Sequence, residues 1–586
     1  MRQWMVAAKK ADFYAIAEKF HVDPVVARII RNREVIGEKN IRIYLGGNLS
    51  DLSDPHQMKD MDRLVEILAQ KIRKQVHIRI IGDYDVDGVT SSHLFLTALR
   101  RVGAKVDVII PHRIQDGYGL SLHLLQQAKE DGVDTILTCD NGIAAIDEIA
   151  WAKAQKMTVL VTDHHAVPFE EHEGRRTEKK SLADAVVNPH QQDCGYPYKE
   201  LCGAGVAWNV IRVLYENYDM DKREAEDLLD FVAMATVCDV MSLTGENRIL
   251  VKEGLKRIHH TKNIGLQALM QACNVQPENI SAYHFGYVLG PCVNATGRLD
   301  TARHALRLFE TGQETEAEEI ARDLVDLNQE RKELTLQGVE MAKKLCEEGG
   351  YEKDPVLVLF LPDVHESIAG LIAGRIREMY NRPVFVLTRG EEGVKGSGRS
   401  TENYSMYENM CGCAELFTKF GGHPMAAGLS LPEENVEKFR RKINENCPLT
   451  VEEVCPDIHI DMAMPVGYAS TELVHQFALL EPFGKDNPSP LFADRNLSIS
   501  RMWVIGKNRN VLRMSVLSEY GQPVPVIFFG DVETLFAYFT EKFGQEEVEN
   551  ALHGRKNRIL FSMVYTAKID FYQGNENLQL EMKYYR

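Results

Sequence analysis

Three segments of this sequence end in side chains that bind divalent cations. Residues 76–88, VHIRIIGDYDVDG, place Asp83, Asp85 and Asp87 at alternate positions after an apolar run. Residues 135–142, TILTCDNG, stop at Asp140, and residues 157–165, MTVLVTDHH, stop at Asp163, His164 and His165. A fourth segment, the apolar helix-like stretch over 224–237 (EAEDLLDFVAMATV), leads to Asp239. Mixed carboxylate and imidazole ligation suits Mn²⁺ or Mg²⁺ better than a structural zinc site. Two such ions need several carboxylates to offset their charge, and Asp83, Asp85, Asp87, Asp140 and Asp239 supply enough, with His164 as a nitrogen donor. In two-metal phosphate chemistry the ion pair clamps the attacking and leaving oxygens. No Gly-x-Ser-x-Gly and no Walker A loop occurs. These residues therefore predict metal-dependent hydrolysis of a phosphoester.

Elements of one kind must bring these residues together. The apolar runs are five to eight residues long and rich in Val, Ile and Thr, too short for typical helices. Helix-like stretches separate them: Thr90–Val102, Leu120–Lys129 and Ile143–Lys156. Further strands are predicted at Lys105–Ile110 and Ala183–Val187. Strand alternating with helix implies an α/β fold with a parallel sheet. Ligands of such sheets sit beyond the carboxyl ends of the strands, so the acids at three strand ends meet in one place. Asp85 and Asp87 are expected in an extended turn before a helix that starts at Gly88.

Composition narrows the setting. A chain of 586 residues holds several domains, and 44% hydrophobic content suits sizeable cores. No apolar run approaches the length of a membrane span, and the first residues, MRQWMVAAKKADF, are too polar for a signal peptide. Eleven scattered cysteines without Cys-x-x-Cys fit free thiols in a reducing compartment, and so a cytoplasmic enzyme. The net charge of −17 argues against a protein that coats duplex DNA. A nucleic-acid substrate would have to be gripped locally; the charge alone favours a small molecule.

The chain divides into a helical leader (1–75), the metal-binding α/β domain (76–245), a helical region with one or two long helices over Glu314–Glu348 (246–350), a second α/β domain (351–448) and a small β-barrel (449–586). The leader carries helix-like stretches at Asp12–Phe20, Pro24–Arg31 and Met58–Lys74. The second α/β domain has strands Pro355–Leu361 and Pro383–Leu387, a helix Ser367–Tyr380, and two glycine-bearing turns, Lys395–Ser400 (KGSGRS) and Phe420–Gly428 (FGGHPMAAG). The stretch 170–180 is expected to be a polar loop. The barrel is expected from short alternating runs between Leu497 and Tyr584. Its basic clusters, Lys507/Arg509/Arg513 and Arg555/Lys556/Arg558, are candidate contacts for single-stranded nucleic acid.

The motifs Asp-Tyr-Asp-Val-Asp-Gly, Asp140-Asn141-Gly142, Asp163-His164-His165 and Asp239 together resemble those of the DHH phosphoesterase superfamily. The second α/β domain, with Gly421-Gly422-His423, resembles the DHH-associated domain, DHHA1. More narrowly, the order of segments is similar to the RecJ family of bacterial single-strand-specific 5′→3′ DNA exonucleases. That likeness extends through IPHRIQDGYGLS (110–121), NATGRL (294–299), GSGRS (396–400) and a terminal barrel like the family's OB-fold. The resemblance implies that Asp83, Asp85, Asp87, Asp140, His164 and Asp239 hold two divalent cations, Mn²⁺ or Mg²⁺, with Asp140 as the bridge. It implies that His165 contacts the scissile phosphate and that Asp163 orients its histidine neighbours. Arg113, Ser397 and Arg399 match a pocket for the 5′-terminal phosphate, and Arg298 and His423 line the substrate path. It further implies single-stranded DNA as substrate, 5′-mononucleotides as product, a role in DNA repair and recombination, and a helicase and a single-strand-binding protein as partners; a monomer is the default expectation. Thr296 stands where the family pattern has alanine, and no further domain is expected after the barrel. Two alternatives remain at this point: a DHH phosphodiesterase of short oligonucleotides or cyclic dinucleotides, and a non-catalytic replication scaffold.

Overall fold

The computed structural model describes residues 3–112, 119–172, 175–299, 301–351, 353–390, 393–506, 510–572 and 574–586. The chain divides into two units. The first comprises Leu52–Met241 and Ile249–Pro456 and is organised around two sheets.

The first sheet is wholly parallel. Its spatial order is Val106–Ile109, Ile78–Ile81, Thr135–Cys139, Thr158–Thr162, Ala185–Val187. Ile78–Ile81 and Thr135–Cys139 are buried at every position, as helices on both sheet faces require. The earliest strand lies between the second and third, so the winding reverses between Ile78–Ile81 and Thr135–Cys139. Such a switch point opens a crevice at the carboxyl ends of the strands. Asp83 and Asp140 follow these two strands.

Three local readings are corrected. The helix after the first strand runs Val86–Arg101 and so starts before Gly88. Asp85 caps it, its carboxylate accepting from Gly88 N at 3.0 Å, and Asp87 therefore sits in the first helical turn rather than in an extended turn. The polar stretch after residue 168 pairs as an antiparallel hairpin, Phe169–His172 with Arg175–Glu178. The stretch 224–237 is two helices, Lys222–Glu226 and Leu229–Cys238, with Asp239 as the C-cap of the second.

The break places Asp230 in the first turn of the second helix, buried, where its carboxylate accepts from Thr261 Oγ1 at 2.6 Å and Phe231 N at 2.8 Å. Burial raises its pKa to about 6. The folded chain therefore keeps a proton that the unfolded chain, with an ordinary carboxyl near 4, has lost. Between roughly pH 4 and pH 6 folding stability falls as pH rises, by about 2–3 kcal/mol in total, and the whole penalty persists above pH 6. Asp230→Asn cannot ionise. Its stability relative to the parent, measured by urea unfolding, should improve from pH 4 to pH 6.5 and then level off; a pH-independent difference would contradict this assignment.

A single helix of 35 residues, Glu314–Glu348, leads into the second sheet. That sheet has the order Lys419–His423, Ala426–Leu431, Gly393–Arg399, Val384–Gly390, Leu357–Phe360. Only the last pair is parallel. Leu357, Leu359, Val384 and Val386 pack on one face against the helix Glu366–Tyr380 and the long helix. Val358, Phe385 and Leu387 pack on the other. Here KGSGRS lies in a strand, and FGGHPMAAG is a hairpin whose strands Lys419–His423 and Ala426–Leu431 meet at the expected turn, Pro424–Met425. The glycines of KGSGRS serve close packing: a Cβ on Gly398 would lie 2.3 Å from Met406 Sδ and 2.8 Å from Phe385 Cε1.

The second unit comprises Gln3–Asp51, Ser242–Arg248 and Asp457–Arg586. Its six-stranded sheet runs Met462–Ala463, Phe492–Ile505, Val511–Leu517, Pro523–Phe529, Asn575–Tyr585, Leu560–Tyr572. Phe492–Ile505 also pairs with Leu560–Tyr572, which closes the barrel. Phe492–Ile505, Leu560–Tyr572 and Asn575–Tyr585 are long strands rather than short runs, Val511–Leu517 is as expected, and two helices, Val532–Phe543 and Gln545–Leu552, lie between strands of the barrel.

The leader is not wholly helical. Trp4–Val6 is a strand parallel to Ile458–Ile460, and a third helix, Glu38–Gly46, follows the two expected ones. Val26, Ile29, Ile30 and Tyr44 share one core with the barrel. Arg33 forks onto Asp461 at 2.7 and 3.1 Å. Arg248, 1% exposed, donates to the carbonyls of Tyr44, Leu480 and Leu479 at 2.8–2.9 Å. All eleven cysteines are free thiols. Among the described residues no helix is long and apolar enough to cross a membrane.

Candidate metal centre and anion pocket

The acids expected at the strand ends converge. Three overlapping groups place ligand atoms within 4.8 Å of one another: Asp83/Asp85/Asp140, Asp87/His164/Asp239 and Asp140/His164/His165. His164 Nε2 lies 3.1 Å from Asp140 Oδ1, 3.5 Å from Asp239 Oδ2 and 3.6 Å from Asp87 Oδ2. It is buried and makes no well-formed hydrogen bond, and neither do the two Asp83 carboxylate oxygens. Buried oxygens and an imidazole nitrogen left in this condition, facing one another, are the donor set of a cation site. Burial, reinforced by the charge of Asp85, pushes Asp83 well above the usual carboxylate range. Burial followed by the charges of Asp87, Asp85, Asp239 and Asp83 does the same to Asp140. Like charges packed this way require a compensating positive charge.

Local structure sets each ligand. Asp140 turns the chain in the left-handed conformation, φ 61°, that an Asp tolerates. The Asn141 amide fixes this turn by donating to Ile81 O at 3.0 Å and Cys139 O at 2.9 Å. Asp87 is held from the opposite side. Its two oxygens accept from Gly203 N at 2.6 Å and Ala204 N at 2.8 Å, the first amides of the helix Gly203–Asn217. Gly203 has no alternative here, because a Cβ would lie 2.6 Å from the Asp140 Cβ.

Asp163 faces its neighbours rather than the acids. Its Oδ1 accepts from His164 N (2.7 Å), His165 N (3.0 Å) and His165 Nδ1 (2.8 Å), and its Oδ2 from Ile143 N (2.9 Å). Burial alone would raise Asp163, but the bond from His165 and the two imidazole charges hold it low. Burial works against charge on His165 too, yet the Asp163 bond raises it to about 9. Burial lowers His164.

A cavity of about 520 Å³ lies in the same unit. Arg298, Ser397 and Arg399 line it together with Ser367, Lys395 and Lys419. Arg399 Nη1 donates to Ser397 Oγ at 3.2 Å and to Gly398 O at 2.7 Å, and Arg298 Nη1 to Ser367 O at 2.7 Å. Guanidinium groups oriented in this way suit a phosphate. His423 ends its strand opposite Ala426, exposed, and is not among the lining residues. Arg113, Lys507 and Arg509 lie outside the described residues. Sequence reading missed Lys395 and Lys419. Had Gly393–Arg399 been read as a strand, its two-residue period would have put Lys395, Ser397 and Arg399 on one face. It also missed the Gly203 and Ala204 amides, for which the sequence carries no signal.

The chain matches three family models: DHH family, N-terminal domain, over residues 77–236; the DHHA1 domain over 353–447; and the RecJ OB domain over 460–584. It is 32% identical over 582 residues to the single-stranded-DNA-specific exonuclease RecJ of Haemophilus influenzae, covering 96% of each chain. It is 32% identical over 512 residues to the protein of the same name from Bacillus subtilis, covering 87% of this chain but only 63% of that one. Its structure matches the crystal structure of RecJ in complex with Mn²⁺ from Thermus thermophilus with a TM-score of 0.81 and 25% identity, covering 100% of this chain and 79% of that one.

Proposed function

This chain belongs to the RecJ family of DHH–DHHA1 proteins, and from that membership we propose that it is a metal-dependent exonuclease that degrades single-stranded DNA from the 5′ end to 5′-mononucleotides. One observation carries the proposal: a centre for two cations and an anion cavity occupy the same unit and are joined by one helix. In the helix Gly290–Leu299, Asn294 Oδ1 accepts from Val86 N of the acid loop at 3.1 Å, and Arg298 lines the cavity. A terminal phosphate held at one end thus has a fixed distance to the cleavage centre at the other.

Asp83, Asp85, Asp87, Asp140, His164 and Asp239 would hold two divalent cations, Mn²⁺ or Mg²⁺, whose positive charge would stabilise the attacking and leaving oxygens. Asp140 would be the ligand shared between them, since it groups with Asp83 and Asp85 and its Oδ1 lies 3.1 Å from His164 Nε2 of the other group. The Gly203 and Ala204 amides hold the Asp87 carboxylate in its coordinating position. Asp163 fixes the His165 ring through Nδ1, so that Nε2 is the nitrogen for the scissile phosphate. Arg298, Ser397 and Arg399, with Arg113, bind the 5′-terminal phosphate, and His423 lies on the path of the strand. The barrel binds single-stranded DNA, and the enzyme acts in DNA repair and recombination, in the cytoplasm, as a monomer supplied by a helicase and a single-strand-binding protein. The net charge of −17 is compatible with this because contact with the strand is local.

Single strands labelled at either end, with and without a 5′-phosphate, test the proposal in Mn²⁺ and in Mg²⁺. A 5′ label should appear at once as mononucleotide, while a 3′-labelled strand should shorten progressively. Intact single strands alongside cleaved dinucleotides or cyclic dinucleotides would support the small-substrate phosphodiesterase instead.

A further inference from the structure

Two tyrosines near the metal centre have no role so far. Tyr283 and Tyr287 are 63% and 69% exposed, and their rings stack on each other with centroids 5.0 Å apart and planes 24° from parallel. They flank the start of a π-turn, Phe285–Leu289, that runs directly into the helix Gly290–Leu299. Extra residues in a helix shift the register of what precedes them, and π-turns recur at functional sites. With this shift, Tyr283, Tyr287, Asn294 and Arg298 fall along one side of the continuous helix.

The order along that side follows the path a strand would take. Arg298 lines the anion cavity. Asn294 is bonded to the acid loop at Val86. Phe285 O accepts from the thiol of Cys238 at 3.3 Å, and Cys238 directly precedes Asp239. The tyrosines lie beyond. At the rise of an α-helix, Tyr287 stands about 16 Å from Arg298, and Tyr283 about 6 Å further. An acidic protein has little general attraction for phosphates, whereas an aromatic face binds any base without regard to charge.

We propose that Tyr283 and Tyr287 form a base-stacking subsite for the single strand, about three to six nucleotides from its bound 5′ end. It rests on the functional reading above and extends it: the 5′ phosphate is held at Arg298, the strand passes the metal centre, and its downstream bases rest on the tyrosine pair. Stacking of this kind rewards length, so short products leave while long substrates stay.

The test uses the full-length protein with Mn²⁺ and 5′-phosphorylated single strands of about 20 nucleotides. Tyr283→Ala/Tyr287→Ala should raise KM for these strands about tenfold or more with kcat within about twofold, while cleavage of a 5′-phosphorylated dinucleotide is unchanged. Tyr283→Phe/Tyr287→Phe should behave as the parent, since stacking needs the ring and not the hydroxyl. Abasic sites placed singly along the strand should weaken parent binding at the predicted distance and leave the double alanine variant indifferent. An unchanged KM for long strands, an equal loss on the dinucleotide, or a parent insensitive to abasic sites there would each overturn the subsite alone. A parent that leaves single strands intact would overturn the functional reading, and the subsite with it.

Discussion

Asp140→Asn should lower single-strand cleavage about 10³-fold or more while the protein stays folded. Asp140 groups with Asp83 and Asp85, and its Oδ1 lies 3.1 Å from His164 Nε2 of the other ligand group, so the substitution weakens both cation positions at once. Losing Lewis-acid stabilisation costs several kcal/mol of barrier, which is about three decades of rate. Asparagine is the suitable replacement because the backbone at this position has φ 61°, which Asn adopts as readily as Asp. Its Cβ also fits against Gly203 as the native one does. The fold should not suffer: removing one negative charge from a buried cluster of carboxylates relieves repulsion. Thermal unfolding gives a readout independent of catalysis. A ligand that binds only the folded state raises Tm, so Mn²⁺ should stabilise the parent and stabilise the variant much less. A variant that cleaves within tenfold of the parent, or that keeps the full Mn²⁺-induced shift, would remove Asp140 from the metal centre.

Arg399→Gln should abolish the preference for a 5′-phosphate over a 5′-hydroxyl, a loss of about 10–100-fold in kcat/KM confined to phosphorylated strands. The guanidinium is already braced by Ser397 Oγ and Gly398 O, so little ordering remains when the phosphate arrives. Because the cavity is separate from the acid cluster, 5′-hydroxyl strands should be cut at the parental rate. Arg399→Lys should restore little, since an ammonium cannot reproduce the planar fork. Competition between the two kinds of strand in one reaction measures this ratio directly. Equal losses on both would place Arg399 in the cleavage step rather than in end recognition.

The fold and the metal centre were legible in the sequence to different degrees. Short Val/Ile-rich runs alternating with helices specify a parallel sheet, and a parallel sheet has one carboxyl edge, so Asp83, Asp140 and His164 could be brought together from pattern alone. The alternate spacing of Asp83, Asp85 and Asp87 misled in one respect. Capping by Asp85 starts the helix early, and the three acids reach the centre from a loop, a cap and a helical turn. Glycine had the opposite effect in the second sheet. It suppresses a strand's propensity signal, so KGSGRS and the two strands that flank the turn in FGGHPMAAG were hidden. Only the packing of Phe385, Leu387 and Met406 against Gly396 and Gly398 shows why KGSGRS is a strand.

What the sequence determined by itself is the chemistry: which side chains can hold cations, and that Asp83, Asp140 and His164 follow strands of one sheet. Tertiary structure alone decided what holds those side chains and what surrounds them. The Gly203 and Ala204 amides on Asp87, the Lys395 and Lys419 wall of the anion cavity and the tyrosine pair beyond Asp239 come from segments tens to hundreds of residues away. The physical reason is that periodicity reports the face a residue presents within its own element, whereas backbone amides, cavity walls and helix register acquire a partner only when separate elements pack.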